Sequence, residues 1–262
     1  NILADWAGAK TVAVALEETK GPVPGRDARI EDLGLDLVWV GPESFRMGSE
    51  NGDSDERPVR EVRITKGYWM GKTEVTQAQW KQVMGGSNPS DFKGDDLPVE
   101  NVSWNDATDF CAKLTARERA NLPQGYVYRL PTEAEWEFAA RGGTKSRGFE
   151  YSGGDNLDAV AWHTENSGHK PHAVGTIGAN ELGIYDMSGN VWEWCWDWYQ
   201  SSYNGLDSVN PSGPRSGSLR VFRGGGWNRD ERRCRVANRI LDDWQITDSH
   251  LGFRVVLAVP VQ

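Results

Sequence analysis

The feature that most constrains this 262-residue chain is its tryptophan content, which amounts to 13 residues. Four of the tryptophans lie in the eight-residue stretch from Val191 to Trp198. A tryptophan is bulky, and its indole N–H needs a hydrogen-bond partner when it is buried. Thirty glycines and 12 prolines accompany the tryptophans. This combination predicts a loop-rich fold whose core consists of aromatic side chains wedged between irregular segments.

Composition excludes several classes of protein. Hydrophobic residues make up 38% of the chain, and with the glycines this falls in the range of globular proteins. No apolar run is long enough to span a bilayer, so we expect no transmembrane segment. The 29 basic against 38 acidic residues give a net charge of −9, which would repel a phosphate backbone, and we expect no nucleic-acid partner. If a leader has been removed ahead of Asn1, we expect a lipid anchor.

Cysteine and histidine do not indicate a metal or disulfide scaffold. Cys111, Cys195 and Cys234 are too few for a disulfide framework. No pair of them has the spacing of metal ligands, and the four histidines are scattered.

Three helices are predicted by capping boxes, in which a Ser or Thr is followed three residues later by an acid or amide. These boxes begin at Thr76, Ser103 and Thr132. The third box also accounts for Glu133 and Glu135, whose spacing would otherwise suggest acid–base catalysis.

Strands are predicted where apolar residues alternate or cluster. Leu35–Met47 has strand composition, Glu61–Thr65 alternates polar and apolar residues, and Leu251–Leu257 predicts a final strand. Residues 1–35 differ from the rest and are interpreted as an amino-terminal extension packed on a main domain of residues 36–262.

The segment from Asp186 to Glu193 is the best candidate for a metal site. Two carboxylates and nearby backbone carbonyls in turn-forming sequence can converge on Ca²⁺, which takes six to eight oxygen ligands. The alternative is a turn followed by a buried Glu193 that pairs with an arginine.

Several motifs occur together in one order along residues 36–258. They are Phe45–Ser49, Lys72–Gln77, Pro98–Trp104, Arg129–Glu137, Asn180–Trp194, Arg223–Trp227 and Gly252–Val255. Together they closely resemble the formylglycine-generating enzyme (sulfatase-modifying factor) superfamily. The resemblance implies an α+β, C-type-lectin-like fold that is irregular and loop-rich, with few helices and short antiparallel strands.

The same resemblance bears on cofactors. The family's enzymes oxidise a cysteine of sulfatases to formylglycine, with copper held by two cysteines. When Gly224–Trp227 is aligned, the second cysteine falls on Cys234, whereas the first falls on Arg229. Because Cu(I) requires soft thiolates, we expect no copper and assign no catalytic residue. The family's calcium ligands map onto the following residues, Gly189 and Val191 contributing carbonyls: Asp186, Gly189, Val191, Glu193 and Glu74.

The carboxy-terminal region of residues 223–256 resembles the variable proteins of diversity-generating retroelements, in which mutation at adenines diversifies a binding surface. Most candidate residues here are types that such mutagenesis yields from an asparagine codon, but Trp244 is not. We name the predicted ligand-binding residues the display set. The display set is Asn228, Arg229, Asp230, Arg232, Ile240, Asp242, Asp243, Trp244, Ile246, Thr247, Asp248, Ser249 and His250.

Aromatic anchors among short polar residues are typical of a paratope, and Trp244 is the expected anchor. The alternative for Ile240, Leu241 and Ile246 is that they are core residues of a long loop. Formal charge is split, because residues 228–239 carry five Arg against two acids (+3) and residues 240–250 carry three Asp (−3). A partner with complementary halves would be steered by this charge distribution.

These observations predict a non-enzymatic, monomeric protein that binds a protein ligand and is displayed outside the cytoplasm, at the cell surface. The alternative function is an oxidoreductase of the same superfamily that acts on a peptide or small molecule.

Overall fold

The computed structural model describes residues 21–261. The apolar composition of Thr11–Leu16 predicts one more strand, which lies outside the described residues. The described strands are β1 (Ala28–Ile30), β2 (Leu35–Val40), β3 (Glu43–Met47), β4 (Arg60–Ile64), β5 (Tyr68–Gly71), β6 (Val127–Arg129), β7 (Trp192–Trp198), β8 (Leu219–Arg223), β9 (Arg239–Asp243), β10 (Leu251–Gly252) and β11 (Val256–Ala258). The described α-helices are α1 (Gln77–Met84), α2 (Trp104–Glu118), α3 (Glu133–Ala140) and α4 (Leu157–Val160).

The capping boxes define the starts of the three longer helices, as predicted. Thr76, Ser103 and Thr132 are the N-cap residues of α1, α2 and α3, and each side chain accepts a hydrogen bond from the backbone three residues on. Each such cap contributes about 1 kcal/mol. Within the described residues, no helix is both long and apolar enough to cross a bilayer.

The strands form two main sheets and a hairpin. The first sheet has the order β1-β2-β5-β11-β6 with antiparallel neighbours. The second has the order β10-β7-β8-β9, in which only β10 and β7 are parallel. Strands β3 and β4 pair separately. The display set follows β8 in the chain and includes residues of the edge strand β9.

The core is rich in aromatic residues, and the buried indole N–H groups of Trp194 and Trp136 have partners, whereas that of Trp192 has none among the described residues. Trp192 and Trp194 of β7 are almost fully buried in the same cluster as Trp69 and Phe253. The indole of Trp194 donates to the carbonyl of Val102 at 2.9 Å. Tryptophans therefore fix the second sheet against the loops and helix α2, as the composition indicated.

Strand β1 lies in the predicted amino-terminal extension and pairs with β2 over residues 28–30 and 35–37, so this part of the extension is a strand of the first sheet. One predicted strand differs from the structure. The single strand predicted over Leu251–Leu257 is divided between β10 and β11, which lie in different sheets. Buried Arg254 lies between the two strands, and its guanidinium contacts Glu193.

Candidate ligand-binding site

The region that carries the display set is fixed to the scaffold by buried arginines. Arg239 donates to both oxygens of Glu133 at 2.7 and 2.6 Å, and Arg223 pairs with Glu137. Burial alone would raise the pKa of Glu137, but Arg141 and Arg223 hold it below its ordinary value. These contacts connect β8 and β9 to helix α3, so they set the position of the loops between them.

A second buried ion pair fixes the region between residues 228–232 and residues 240–250 of the display set. Arg235 makes a two-pronged contact with Glu56, with distances of 2.9 and 2.6 Å. The neighbouring residues from Cys234 to Arg239 are all buried. Buried arginine–carboxylate pairs of this geometry are costly to break, because the remaining charge loses its partner.

The display set lies outside this buried frame. Five of its members are exposed and the other eight are half-buried, so none is fully buried. The exposed members are Asp230, Arg232, Asp242, Asp243 and Thr247. Buried frame residues, such as Cys234–Arg239, and display-set residues alternate along one segment. Sequence composition did not distinguish the buried residues from the exposed ones.

The two ends of the display set meet at Arg229 and His250. Nη2 of Arg229 donates to Nε2 of His250 at 3.0 Å, so Nδ1 of the histidine carries the hydrogen that faces Asp248. Burial and the Arg229 guanidinium lower the pKa of His250, against the opposing effect of Asp248. Nearby, the indole of Trp227 donates to the carbonyl of Ser249 at 3.3 Å.

The apolar members of the display set are shared between the core and the surface. Ile240 and Ile246 are half-buried and pack against the core. Part of each side chain therefore serves as core, which was the alternative to ligand binding. Trp244 is also half-buried, and its carbonyl accepts from the backbone N–H of Trp104 at the start of α2. Its backbone is thereby fixed while part of the ring faces solvent.

The charge split expected from the sequence does not exist at the surface. Arg235 and Arg239 are buried and neutralised by Glu56 and Glu133, so they add no positive charge to the exposed loop. Arg232 and Arg233 are in turn both paired with Asp53. The predicted steering by a +3 and a −3 half is therefore wrong.

The candidate metal ligands are only partly brought together. Glu74 is fully buried, and among residues 21–261 neither of its carboxylate oxygens has a partner, nor does Oδ1 of Asp186. Burial and the adjacent Asp186 raise the pKa of Glu74 well above its ordinary value, and burial raises the pKa of Asp186 to about 6. The orphaned oxygens of this pair fit a cation or a shared proton.

Glu193, by contrast, is a buried acid that pairs with an arginine, which was the predicted alternative to calcium binding. Both of its oxygens accept from Arg254 at 2.6 Å, and one also accepts from the indole of Trp136. Gly189 and Val191 are buried just before this residue. Within residues 21–261, no three His, Cys, Asp or Glu side chains converge to hold a metal ion.

The donor atoms present do not fit copper. Cys234 is fully buried, and burial raises the pKa of its thiol to about 12, which disfavours the thiolate. The position of the family's first cysteine is occupied by Arg229, a cation that contacts His250. A Cu(I) ion requires soft anionic ligands that this pair of residues does not supply.

Comparison with known proteins identifies the family. The family described as "Sulfatase-modifying factor enzyme 1-like domain" matches residues 26–259. The chain belongs to this family. Among curated relatives, the chaperone protein LppX of Paenibacillus barcinonensis is 41% identical over 238 residues, covering 73% of this chain and 78% of LppX. The formylglycine-generating enzyme of Streptomyces coelicolor is 36% identical over 237 residues, covering 83% of this chain and 65% of the enzyme. The present chain thus spans about two thirds of the length of that enzyme.

Solved structures confirm the fold. Treponema denticola variable protein 1 superposes with a TM-score of 0.80 and 32% identity, covering 90% of this chain and all of that protein. PvdO from Pseudomonas aeruginosa gives a TM-score of 0.76 at 25% identity, covering 91% of this chain and all of PvdO. The chain thus has the α+β, C-type-lectin-like fold of the formylglycine-generating enzyme superfamily, and it is similar to a variable protein.

Some residues of the site were missed by the sequence interpretation. The ring of Phe92 packs edge-on against Trp227 with centroids 5.6 Å apart, and the backbone N–H of Phe92 donates to Glu100 at 2.9 Å. Burial raises the pKa of Glu100 to about 7. Residues 88–97 have no periodic pattern, so only the fold reveals that they border the display set.

Proposed function

We propose that this protein binds a protein ligand through the display set and does not catalyse oxidation. The observation that supports the proposal best is the separation of roles within residues 223–254. Arginines 223, 235, 239 and 254 are buried and paired with scaffold carboxylates, whereas no member of the display set is fully buried. A rigid frame that holds adaptable polar residues and aromatic anchors is the arrangement expected of a binding surface.

The likenesses support the same proposal. A variable protein shares the fold along nearly the whole described chain, and a relative with 41% identity is named a chaperone protein, a kind of protein that binds other polypeptides. We propose that variation in the display set changes the ligand without disturbing the buried frame. We also propose that the protein acts outside the cytoplasm at the cell surface, as expected for a diversified binding surface.

The oxidoreductase alternative is disfavoured by the chemistry of the site. Oxidation by the family's copper mechanism needs two accessible thiolates, whereas this site offers the buried thiol of Cys234 and the guanidinium of Arg229. The calcium site remains a proposal restricted to Glu74 and Asp186, because Glu193 is engaged by Arg254.

The test is affinity measurement on a purified ligand, chosen by screening purified extracytoplasmic proteins with biolayer interferometry. We expect Trp244→Ala to weaken binding about 30-fold, the loss typical of an interface anchor, and Asp243→Lys to weaken it as well. The matched controls are Trp39→Ala, a half-buried tryptophan in the first sheet, and Glu61→Lys, an exposed acid on β4.

Two results would overturn the proposal. One is that the display-set variants and the controls bind the ligand equally well while all remain folded by circular dichroism. The other is that purified protein supplied with Cu(I) consumes oxygen and oxidises a cysteine-containing peptide.

A further inference from the structure

A second candidate site lies beside the display set, in a cavity of about 610 Å³. Its walls come from the segment around α4, from residues 163–165 and from residues 230–232. The backbone N–H of Thr164 donates to the carbonyl of Arg229 at 3.0 Å, which ties this cavity to the display set. The cavity shares Asp230 and Arg232 with the display set, and its remaining lining residues lie outside that set.

The cavity is strongly acidic. Five carboxylates line it, against the single guanidinium of Arg232, which is already paired with Asp53. The five acids are Asp155, Asp158, Glu165, Asp230 and Glu231. All five are exposed, and no hydrogen bond or ion pair engages the side chains of Glu165 and Glu231 within the described part of the chain. A low-dielectric wall that carries one sign of charge concentrates ligands of the opposite sign.

The same wall contains a buried histidine, His163, and one ring nitrogen of this histidine receives no hydrogen bond from the described residues. The side chain of His163 is only 7% exposed, and its Nε2 lies 2.7 Å from Oδ1 of Asp158. Because a carboxylate only accepts, the neutral ring places its hydrogen on Nε2 and leaves Nδ1 as an acceptor. That Nδ1 is buried and has no partner in the part of the chain that the structure describes. An unsatisfied buried acceptor carries a free-energy cost, so this wall lacks one hydrogen-bond donor.

Geometry favours an organic cation over a metal ion. No three His, Cys, Asp or Glu side chains in the described range converge closely enough to hold a metal ion. The carboxylates are instead spread around a cavity of several hundred cubic ångströms. A lysine ammonium or an arginine guanidinium offers several N–H donors on a long stem, which suits dispersed acceptors.

We propose that this cavity receives a lysine or arginine side chain of the protein ligand. The inference rests on the proposed function, and it adds a charged subsite to the display set. In the complex, the cationic head lies among the carboxylates and donates to the wall that contains His163.

The probes are capped Gly-Lys-Gly and Gly-Arg-Gly tripeptides, with Gly-Glu-Gly and Gly-Leu-Gly for comparison, titrated into the full chain and followed by ¹H–¹⁵N NMR. We expect only the cationic peptides to shift the signals of residues 155–165 and 230–232. A long-range ¹H–¹⁵N spectrum of the imidazoles should show a change at Nδ1 of His163 with the same titration.

The variant pair Glu165→Gln/Glu231→Gln should weaken binding of the cationic peptides about tenfold, since each exposed charge contributes a few-fold. The control pair Glu61→Gln/Asp109→Asn removes the same charge at exposed positions outside the cavity, and it should change binding less than about twofold. Within the described residues, none of these four side chains makes a hydrogen bond or an ion pair, and all four are exposed, so both variants should fold.

Equal binding of cationic and acidic peptides, or equal losses in the two variant pairs, would overturn the inference. Tight binding of Ca²⁺ or Zn²⁺ alone to the same residues would also overturn it. If the protein ligand requires Trp244 but is insensitive to Glu165→Gln/Glu231→Gln, the cavity proposal fails and the proposed function stands. If the tripeptides bind the cavity but no display-set variant affects any ligand, the proposed function fails instead.

Discussion

Arg239 and Arg233 provide the sharpest test of the division between frame and surface. Both belong to the carboxy-terminal region, and both pair with an acid. Arg239 is 1% exposed and contacts Glu133, whereas Arg233 is 36% exposed and lies 3.3 Å from Asp53. We expect Arg239→Ala to destabilise the fold strongly and Arg233→Ala to have almost no effect.

The magnitudes follow from burial. Removal of one partner from a buried ion pair costs about 3–5 kcal/mol, because the remaining charge stays desolvated. For Arg239→Ala we expect the lower value, about 3 kcal/mol, because Nε of Arg223 remains 3.2 Å from Glu133. In a chain of this size that corresponds to a fall in Tm of about 6–12 °C. An exposed pair such as that of Arg233 contributes about 0–1 kcal/mol.

Guanidinium denaturation and calorimetry of the two variants measure these differences directly. The double variant Glu133→Gln/Arg239→Met should recover part of the loss, since it removes both charges and keeps the volume filled. Equal midpoints for Arg239→Ala and Arg233→Ala would refute the reasoning, because the buried contact would then have no greater value than the exposed one.

Three further outcomes are expected. Because burial raises the pKa of Glu100 to about 7, the folded state holds the proton of this carboxyl more tightly than the unfolded chain does. The resulting stabilisation is complete below about pH 4.5 and is lost as the pH rises through 7. The variant Glu100→Gln should therefore flatten the dependence of the unfolding free energy on pH between about pH 5 and 8. Calcium at 100 times its dissociation constant should add about 2.7 kcal/mol to stability in calorimetry, and Asp186→Asn should abolish that gain while magnesium serves as the control ion. Ellman titration at pH 8 should find the thiols Cys111, Cys195 and Cys234 unreactive in native protein and all reactive in denaturant, whereas rapid native labelling of Cys234 would contradict its burial.

Features determined by neighbouring residues could be predicted from the sequence. The three capping boxes gave the starts of α1, α2 and α3 correctly, because the N-cap and its partner lie three residues apart. The run of three glycines before Trp227 indicates a tight backbone corner, and Gly224 and Gly225 do have positive φ values of 102° and 81°. Strand β7 was less evident, although alternate tryptophans with Glu193 and Asp197 between them carried the period of a strand.

Features that depend on distant partners could not be predicted. Glu133 and Glu135 read as simple helix-start residues, yet each is buried against an arginine, Arg239 and Arg129. Formal charge counted along the chain could not show that Arg235 is neutralised by Glu56 in a different part of the sequence. The acidic cavity likewise joins segments around residues 155–165 and 230–232, which no local pattern connects.

The positions of β9 and β10 have a consequence for how this molecule could be re-engineered. They are the two edge strands of the second sheet, so residues 244–250 cross from one edge to the other, three strand spacings or about 14 Å. The entropy of closing a loop grows only logarithmically with its length. Extra residues inserted at an exposed position such as Thr247 should therefore be tolerated, and the stem can serve as a cassette for grafting foreign recognition loops.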